Sequence, residues 1–270
     1  MTNPRKPNRG REVFRTLGVS LAITLATLVV LEIFLRVADF RELREALSGQ
    51  SLGYGYDAEL GWAPVPNSSS LVVGARLFHV KHNSLGLRDE EFSLDGKPTI
   101  MFLGDSFVWG VDSEAEERFT NLLKPKIPDY KILAAGIAGY GTDQEYLLLK
   151  RLWPKVDPAV VVLIFCSQND RFDNSSNVRY QRYQKPYFMT QPDGSLVLVG
   201  QPVPESQLLR YSGLVRNLWL GRLATSVYLR LRYPQVLVPD PTEKLVGKIR
   251  EFVEANVPNS WLESNITTKQ

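Results

Sequence analysis

The stretch Pro98-Thr-Ile-Met-Phe-Leu-Gly-Asp-Ser-Phe-Val-Trp-Gly110 decides how this chain folds. Residues 99–103 form a short apolar run that is typical of a buried strand. The turn Gly104-Asp105-Ser106 follows, and residues 114–123 then show helical periodicity. A serine at the carboxyl end of a parallel strand lies where open α/β sheets place their ligands. Gly, Asp and Ser are also common in ordinary turns, so this tripeptide alone leaves both interpretations open.

Two later segments repeat the same arrangement. Residues 131–135 form a second strand candidate, followed by the glycine-rich turn Gly136-Ile137-Ala138-Gly139-Tyr140-Gly141-Thr142. Residues 159–165 form a third, followed by Cys166-Ser167-Gln168-Asn169-Asp170. Helical patterns separate the three strands, which predicts an α/β fold with a parallel sheet and one functional edge.

These loops resemble the sequence blocks of the SGNH/GDSL hydrolase family. Gly104-Asp105-Ser106-Phe107 is similar to the first block, Gly139 to the glycine of the second, and Asn169-Asp170 to the Asn-Asp of the third. The resemblance implies a three-layer, flavodoxin-like fold with Ser106 as the nucleophile and Asp105 in a supporting role. It also implies an oxyanion hole made of the Ser106 N–H, the Gly139 N–H and the Asn169 side chain, with no metal and no organic cofactor.

The chain departs from the family pattern in two places. Ser167 stands where the third block usually has glycine, which is a mild change. The family's C-terminal Asp-x-x-His block, which supplies the catalytic base, has no counterpart, because His79 and His82 are the only histidines and both precede Ser106. Three accounts stay open: a chain shortened or altered after about residue 256, with an incomplete sheet; a natural pseudoenzyme; or a base supplied from elsewhere.

Composition narrows the function classes. With 270 residues, 44% of them hydrophobic, the chain can bury one sizeable α/β core. A formal net charge of +3 is too small to argue for nucleic acid. Cys166, the single cysteine, follows a buried strand and is interpreted as a core residue. The extended stretch around His79 and His82 favours a surface or core position for each over a metal site.

The first 40 residues predict a membrane location. A basic tail (1–16) precedes an apolar stretch (17–37), of which the 19 residues Leu17–Leu35 would span about 28 Å as a helix, close to the ~30 Å hydrocarbon core. The basic flank predicts a cytoplasmic N-terminus, a single transmembrane helix and a main domain that is periplasmic or extracellular. A cleaved signal peptide is the rival interpretation. Residues 38–75 are interpreted as a stalk or linker.

Residues 76–270 are predicted to form the hydrolase-like domain, with an insertion at 171–238 that contains a hairpin (186–199) and a basic amphipathic stretch (206–233). That stretch could rest on an anionic membrane surface or pack on its own domain. The segment 83–89 resembles one found upstream of the serine block in membrane-anchored members of the family. Within it, Arg88 is expected to be held by a nearby carboxylate, with substrate contact as the alternative.

The predicted function is hydrolysis of O-acyl, chiefly acetyl, esters of envelope glycans or lipids by a serine nucleophile. Transfer of the acyl group to a sugar would use the same residues. The alternative from another class is a catalytically inactive, membrane-anchored binding or scaffold protein. The expected partners are an acylated substrate and the membrane, without nucleic acid.

Overall fold

The computed structural model describes residues 9–40, 43, 52–179, 183–205 and 217–257. The chain divides into two compact units. The first comprises Met1–Ala46 and Tyr211–Tyr228, and the second comprises Leu47–Arg210 and Leu229–Gln270. The first half of the predicted amphipathic stretch, up to residue 216, lies outside the described residues.

The first unit is built on the long helix α1 (Arg9–Ala38). Its residues 12–38 form an apolar segment long enough to cross a membrane, a property that signal sequences share. Glu32, near the end of this segment, accepts hydrogen bonds from the backbone N–H groups of Trp219 (3.1 Å) and Leu220 (2.9 Å). These groups open a second helix, Trp219–Arg232, so Glu32 supplies the acceptor that a helix N-terminus needs.

The second unit combines short strands with helices. The strands are β1 (Tyr54–Asp57), β2 (Gly61–Pro64), β3 (Ser69–Val73), β4 (Leu77–Lys81), β5 (Thr99–Gly104), β6 (Lys131–Gly136), β7 (Val160–Ile164), β8 (Val178–Arg179), β9 (Tyr183–Gln184), β10 (Tyr187–Thr190) and β11 (Leu196–Val199). Its helices are α2 (Ser106–Trp109), α3 (Phe119–Leu123), α4 (Thr142–Val156), α5 (Asp170–Asn174) and α7 (Thr242–Asn256). The helix α6 (Trp219–Arg232) begins in the first unit, which extends to Tyr228.

The three predicted strands form one parallel sheet in the order β6-β5-β7. In this sheet Gly104 pairs with Gly136 on one side and with Ile164 on the other. The three strands therefore end at the same level, and the loops that follow them share one edge. This confirms the predicted parallel arrangement.

The two faces of this sheet are covered unequally. Met101, Leu103 and Leu133 pack against α4 and α7 in the largest apolar cluster of the unit. The alternate residues Phe102 and Ile132 face the other side, where shorter elements such as α3 contribute. The unit is a mixed α/β structure whose parallel sheet has only three strands. One face of the sheet is well covered, so the structure does not show the predicted three-layer fold clearly.

Three local predictions differ from the structure. The alternating pattern of residues 71–81 predicts one strand, but with residues 69 and 70 they form the antiparallel hairpin β3–β4, which turns at 74–76. The expected helix over 114–123 is a 3₁₀ turn (Ala115–Glu117) followed by α3, because Arg118 between them is extended. β1 and β2 lie in the stretch interpreted as a stalk, and their neighbours Leu60 and Trp62 are buried in the main core.

The hairpin matches its prediction, and so does the last helix, which the run Asp240-Pro241-Thr242-Glu243 and the apolar spacing that follows predict. β10 and β11 pair antiparallel around the turn that contains Asp193 and Gly194. α7 buries Leu245 and Ile249 on one face, as its apolar spacing predicts. Cys166 is a free, buried cysteine, in agreement with its interpretation as a core residue.

Candidate active site

Ser106 begins the short helix α2 at the carboxyl end of β5. Asp105 is the N-cap of this helix, and its Oδ1 accepts the backbone N–H of Phe107 at 2.9 Å. Gly110 ends the helix in the left-handed region (φ +81°) and donates its N–H to the Ser106 carbonyl. Ser106 is half-buried, whereas Asp105 is 1% exposed. The serine is therefore fixed on a capped turn with its side chain toward the sheet edge.

Close packing against β6 requires a glycine beside this helix. A Cβ placed on Gly136 would lie 2.4 Å from the backbone nitrogen of Trp109 and 2.6 Å from the Val108 carbonyl carbon. Both contacts are with backbone, which cannot move aside without shifting α2. Gly136, the last residue of β6, therefore allows the Ser106 helix to lie close to the sheet.

Asn169 meets Ser106 on one carboxylate oxygen. The Asn169 Nδ2 donates to Asp105 Oδ2 at 3.4 Å, and the Ser106 Oγ donates to the same oxygen at 3.4 Å. Asn169 Nδ2 also contacts Asp170 Oδ1 (3.2 Å) and Asp173 Oδ2 (3.0 Å). Three acceptors therefore share the two hydrogens of one amide, which holds the side chain in place.

Gly139 lies in the loop after β6. It has φ +86° inside a turn closed by the Tyr140 N–H on the Ile137 carbonyl (3.2 Å), a position that glycine adopts without steric cost. The neighbouring Ala138 packs in one cluster with Trp109 of α2. Within the described residues Gly139 makes no hydrogen bond to Ser106 or Asn169, so its oxyanion role stays a prediction.

Sequence reasoning missed most of the buried charge beneath this edge. Among the described residues, five acidic side chains that are each at most 1% exposed form an acidic cluster: Asp105, Asp143, Glu145, Asp170 and Asp173. Three elements supply them, namely the β5–α2 turn, the first turn of α4, and α5. A Cβ on Gly141 would lie 2.8 Å from Asn174 Oδ1, so this glycine lets α4 approach α5 closely.

Two cations enter the acidic cluster from the segment after α5. The Lys185 ammonium is fully buried and pairs with Asp143, and it also donates to the carbonyls of Asp173 (3.0 Å) and Ser176 (3.1 Å). The Arg179 guanidinium pairs with Asp173. Five acids thus face two cations, which is too few to neutralise the cluster if every carboxyl were ionised.

Burial raises the pKa values of Asp170, Asp173 and Glu145. Desolvation and the neighbouring Asp105 and Asp173 raise the pKa of Asp170 to about 7, although the Cys166 N–H favours its ionised form. Desolvation likewise raises the pKa of Asp173 to about 6 despite Arg179. For Glu145, burial and then the charges of Asp170, Asp105 and Asp143 hold the pKa well above its usual value.

Arg88 is held differently from the sequence expectation. Its guanidinium is 2% exposed and donates to four backbone carbonyls, of which His79 (2.6 Å) and Ser113 (2.7 Å) accept from Nη2 and the other two belong to the end of α2. The expected carboxylate partner is thus replaced by peptide oxygens. The charge also lies 5.0 Å from the ring centre of Trp109. Arg88 fixes the loop that follows the Ser106 helix.

The two histidines occupy opposite environments. His79 in β4 is exposed, and its Nδ1 pairs with Glu114 at 3.1 Å. His82 is 1% exposed, its Nδ1 contacts the Ser68 hydroxyl at 2.9 Å, and burial followed by the charge of Arg88 lowers its pKa to about 4. Neither makes a hydrogen bond to Ser106 in the part of the chain that the structure describes. One is thus a surface histidine and the other a core histidine.

The described residues contain no group of three or more His, Cys, Asp or Glu side chains arranged to hold a metal ion.

A scan against protein-family models finds no match, and a search of curated proteins finds none either. Among solved structures the chain is similar to AlinE4, an SGNH-hydrolase family esterase, and to a point mutant of the same esterase. Each alignment has 20% sequence identity and a TM-score of 0.26, and covers 30% of this chain and 45% of the other. The chain spans less than half the length of these esterases.

Proposed function

We propose that this chain carries an ester-cleaving site of the SGNH hydrolase kind, with Ser106 as the nucleophile. The observation that carries the proposal is the shared Asp105 oxygen, which brings Ser106 Oγ and Asn169 Nδ2 to the same point of the sheet edge. Ser106 attacks the acyl carbonyl, and the negative oxygen that develops is held by its own N–H, by the Gly139 N–H and by the Asn169 amide. The substrates are O-acyl, chiefly acetyl, esters of envelope glycans or lipids, with transfer to a sugar as the related reaction.

The proposed reaction needs a base for the Ser106 proton. A serine hydroxyl without a neighbouring base is a weak nucleophile at pH 7. His79 is exposed beside Glu114, and His82 is buried beside Ser68, so both are engaged elsewhere. We therefore expect slow Ser106 acylation in the 270-residue chain and faster acylation when a small external base is provided.

The test uses the 270-residue chain in detergent, p-nitrophenyl acetate, and added imidazole. We expect acetylation of Ser106, detected by intact-mass and peptide mass spectrometry, to increase at least tenfold with imidazole. Ser106→Ala should show none. Ser113→Ala is the matched control, because Ser113 is a nearby, part-buried serine that donates to the Gly110 carbonyl.

Other outcomes redirect the proposal. Rapid Ser106-dependent turnover without imidazole would show that a base is already present, and single replacements of His79 and His82 would identify it. Absence of acetyl-Ser106 even with imidazole would contradict the enzyme and favour the inactive binding protein. A version extended by a family-like segment with Asp-x-x-His should be active without imidazole.

We further propose that α1 anchors the chain in the cytoplasmic membrane with its N-terminus inside. The support is the row of basic residues before residue 17, against the apolar character of the segment that follows. A reporter fused after Gln270 should behave as an exported protein. A cytoplasmic signal from that fusion would reverse the proposed orientation, and release of a shortened chain would favour a cleaved signal sequence.

A further inference from the structure

The acidic cluster contains one carboxyl group that differs from the other four in its hydrogen bonds. Asp105 accepts the Phe107 N–H at 2.9 Å, and Asp143 accepts the Gln144 N–H at 2.7 Å in addition to Lys185. Asp170 accepts the Cys166 N–H at 2.6 Å, and Asp173 accepts Arg179 and Asn169. Neither oxygen of Glu145 has a partner among the described residues, although the residue is 0% exposed.

An ionised Glu145 would be unfavourable in this position. The groups that act on it most strongly are the carboxyls of Asp170, Asp105 and Asp143, which are like charges when ionised. The charged groups supplied by the packed elements are Asp105 from the β5–α2 turn, Asp143 from α4, Asp170 and Asp173 from α5, Arg179 from β8 and Lys185 after β9. Both cations are committed to other acids, so an ionised Glu145 would be a buried charge without a counterion, which costs several kcal/mol.

The neutral form removes this difficulty and creates a donor. A protonated carboxyl has one O–H, and the groups whose charges act on Glu145 most strongly, Asp170, Asp105 and Asp143, have carboxylate oxygens that can accept it. A hydrogen bond from a carboxylic acid to a carboxylate is of the strong, charge-assisted type. Because Asp105 and Asp170 are also the groups that bind Ser106 Oγ and Asn169 Nδ2, a donor behind them affects the geometry of both side chains.

We propose that Glu145 is a neutral carboxylic acid that donates its proton into the acidic cluster and so holds the carboxylates that orient Ser106 and Asn169. It is a positioning residue, since it acts through Asp105 and Asp170 and does not face the substrate. The positioning role rests on the proposed function, because it requires Ser106 to be the nucleophile. The protonation itself can be tested without any reaction.

The first measurement is infrared spectroscopy of the full chain at pH 7 with ¹³C-labelled glutamate. We expect the absorption of a protonated carboxyl that shifts with the glutamate label and disappears in Glu145→Gln. Aspartate signals, including any from Asp170, do not shift with this label. The proposal would be overturned if no protonated-carboxyl band at pH 7 shifts with the glutamate label, or if the band that shifts is still present in Glu145→Gln.

The second measurement separates positioning from simple packing. Gln replaces the acid by a neutral side chain that still donates, whereas Met has similar volume and no donor. We expect Ser106 acetylation in the presence of imidazole to fall less than threefold in Glu145→Gln and at least tenfold in Glu145→Met. Near-ultraviolet circular dichroism checks that both variants retain the tertiary structure.

The outcomes distinguish this inference from the proposed function. Equal loss of Ser106 acetylation in folded Glu145→Gln and Glu145→Met would overturn the positioning role. If Met does not fold, the infrared result with Glu145→Gln still decides the protonation state. Absence of acetyl-Ser106 in the unmodified chain would contradict the proposed function while leaving the infrared band intact.

Discussion

Arg88 and the acidic cluster are two buried charged regions of the second unit, and they are built in opposite ways. The single guanidinium of Arg88 has four carbonyl acceptors and two aromatic rings around it, so each face of the group is engaged. Among the described residues, the acidic cluster has five carboxyls against two cations, and no group donates to Glu145. Both terminal nitrogens of Arg88 donate to carbonyl oxygens, whereas the acidic cluster depends on protons.

The difference separates a scaffold from a reactive site. A buried charge that donates to four carbonyls gives rigidity. Burial, and then the charge of Arg118, lower the pKa of Arg88 to about 10, so it stays charged at neutral pH. Incompletely paired carboxyls have pKa values displaced toward neutrality, which is common where catalysis occurs. Both regions contact the Ser106 helix: Arg88 fixes its end, and Asp105 of the cluster caps its beginning.

The largest effect on stability is expected from removing the Arg88 guanidinium. Arg88→Met keeps an apolar stem but leaves four backbone carbonyls without their donor. Unpaired buried acceptors cost about 1–3 kcal/mol each where water cannot replace the donor, so we expect the free energy of unfolding to fall by roughly 3–5 kcal/mol. Urea denaturation followed by tryptophan fluorescence measures this change.

Arg76→Ala provides the matched control for that experiment. Arg76 is also an arginine of the second unit, but its side chain is 46% exposed and its ion pair with Glu117 lies on the surface. Surface pairs contribute about 0–1 kcal/mol. Similar losses from Arg76→Ala and Arg88→Met would contradict the structural role assigned to Arg88.

A smaller effect, with a characteristic pH dependence, is expected from the acidic cluster. Asp170 holds its proton up to about pH 7 when folded, whereas the unfolded chain releases it near pH 4. The folded state therefore binds more protons between about pH 4 and pH 7, and the Asp170 contribution to the free energy of unfolding falls as pH rises through this window. Asp170→Asn should remove this fall. Relative to the parent, the free energy of unfolding of the variant should therefore rise by on the order of 2–4 kcal/mol between pH 4 and pH 8.

The measurement is the difference in unfolding free energy between variant and parent at each pH. A difference is needed because His82, with its pKa lowered to about 4, acts in the opposite direction between about pH 4 and pH 6.5. Glu254→Gln on the exposed side of α7 is the control and should show little pH dependence. A flat difference for Asp170→Asn would mean that Asp170 is ionised in the folded protein at all these pH values.

The positions of the three core strands could be predicted from the sequence because each is a short apolar run bounded by turn residues. The parallel order and the common edge follow from the helical segments between them, since a parallel connection needs a crossover. The split of residues 71–81 into two strands was missed, because alternation in a hairpin continues through a tight turn. The pairing of β1 with β2 and the burial of β2 were missed because glycine and proline in that stretch are equally typical of a linker.

Only part of the candidate site could be predicted from the sequence. Ser106 and Asn169 follow predicted strands, and the structure brings both to Asp105. Asp143 and Glu145 lie in the first turn of α4, where acidic residues are ordinary because they favour a helix N-terminus. Nothing in that local pattern distinguishes a buried acid from a solvated one.

The sequence by itself determined the apolar N-terminal helix, the three parallel strands and the small or polar turns at their ends. Periodicity and turn chemistry are local properties, so a single sequence contains them. Only the tertiary structure decided that Arg88 is surrounded by carbonyls and that Lys185, about 40 residues beyond Asp143, pairs with it inside the core. Such pairings depend on which distant segments share one buried volume, and the cost of an unpaired charge appears only after that volume has closed.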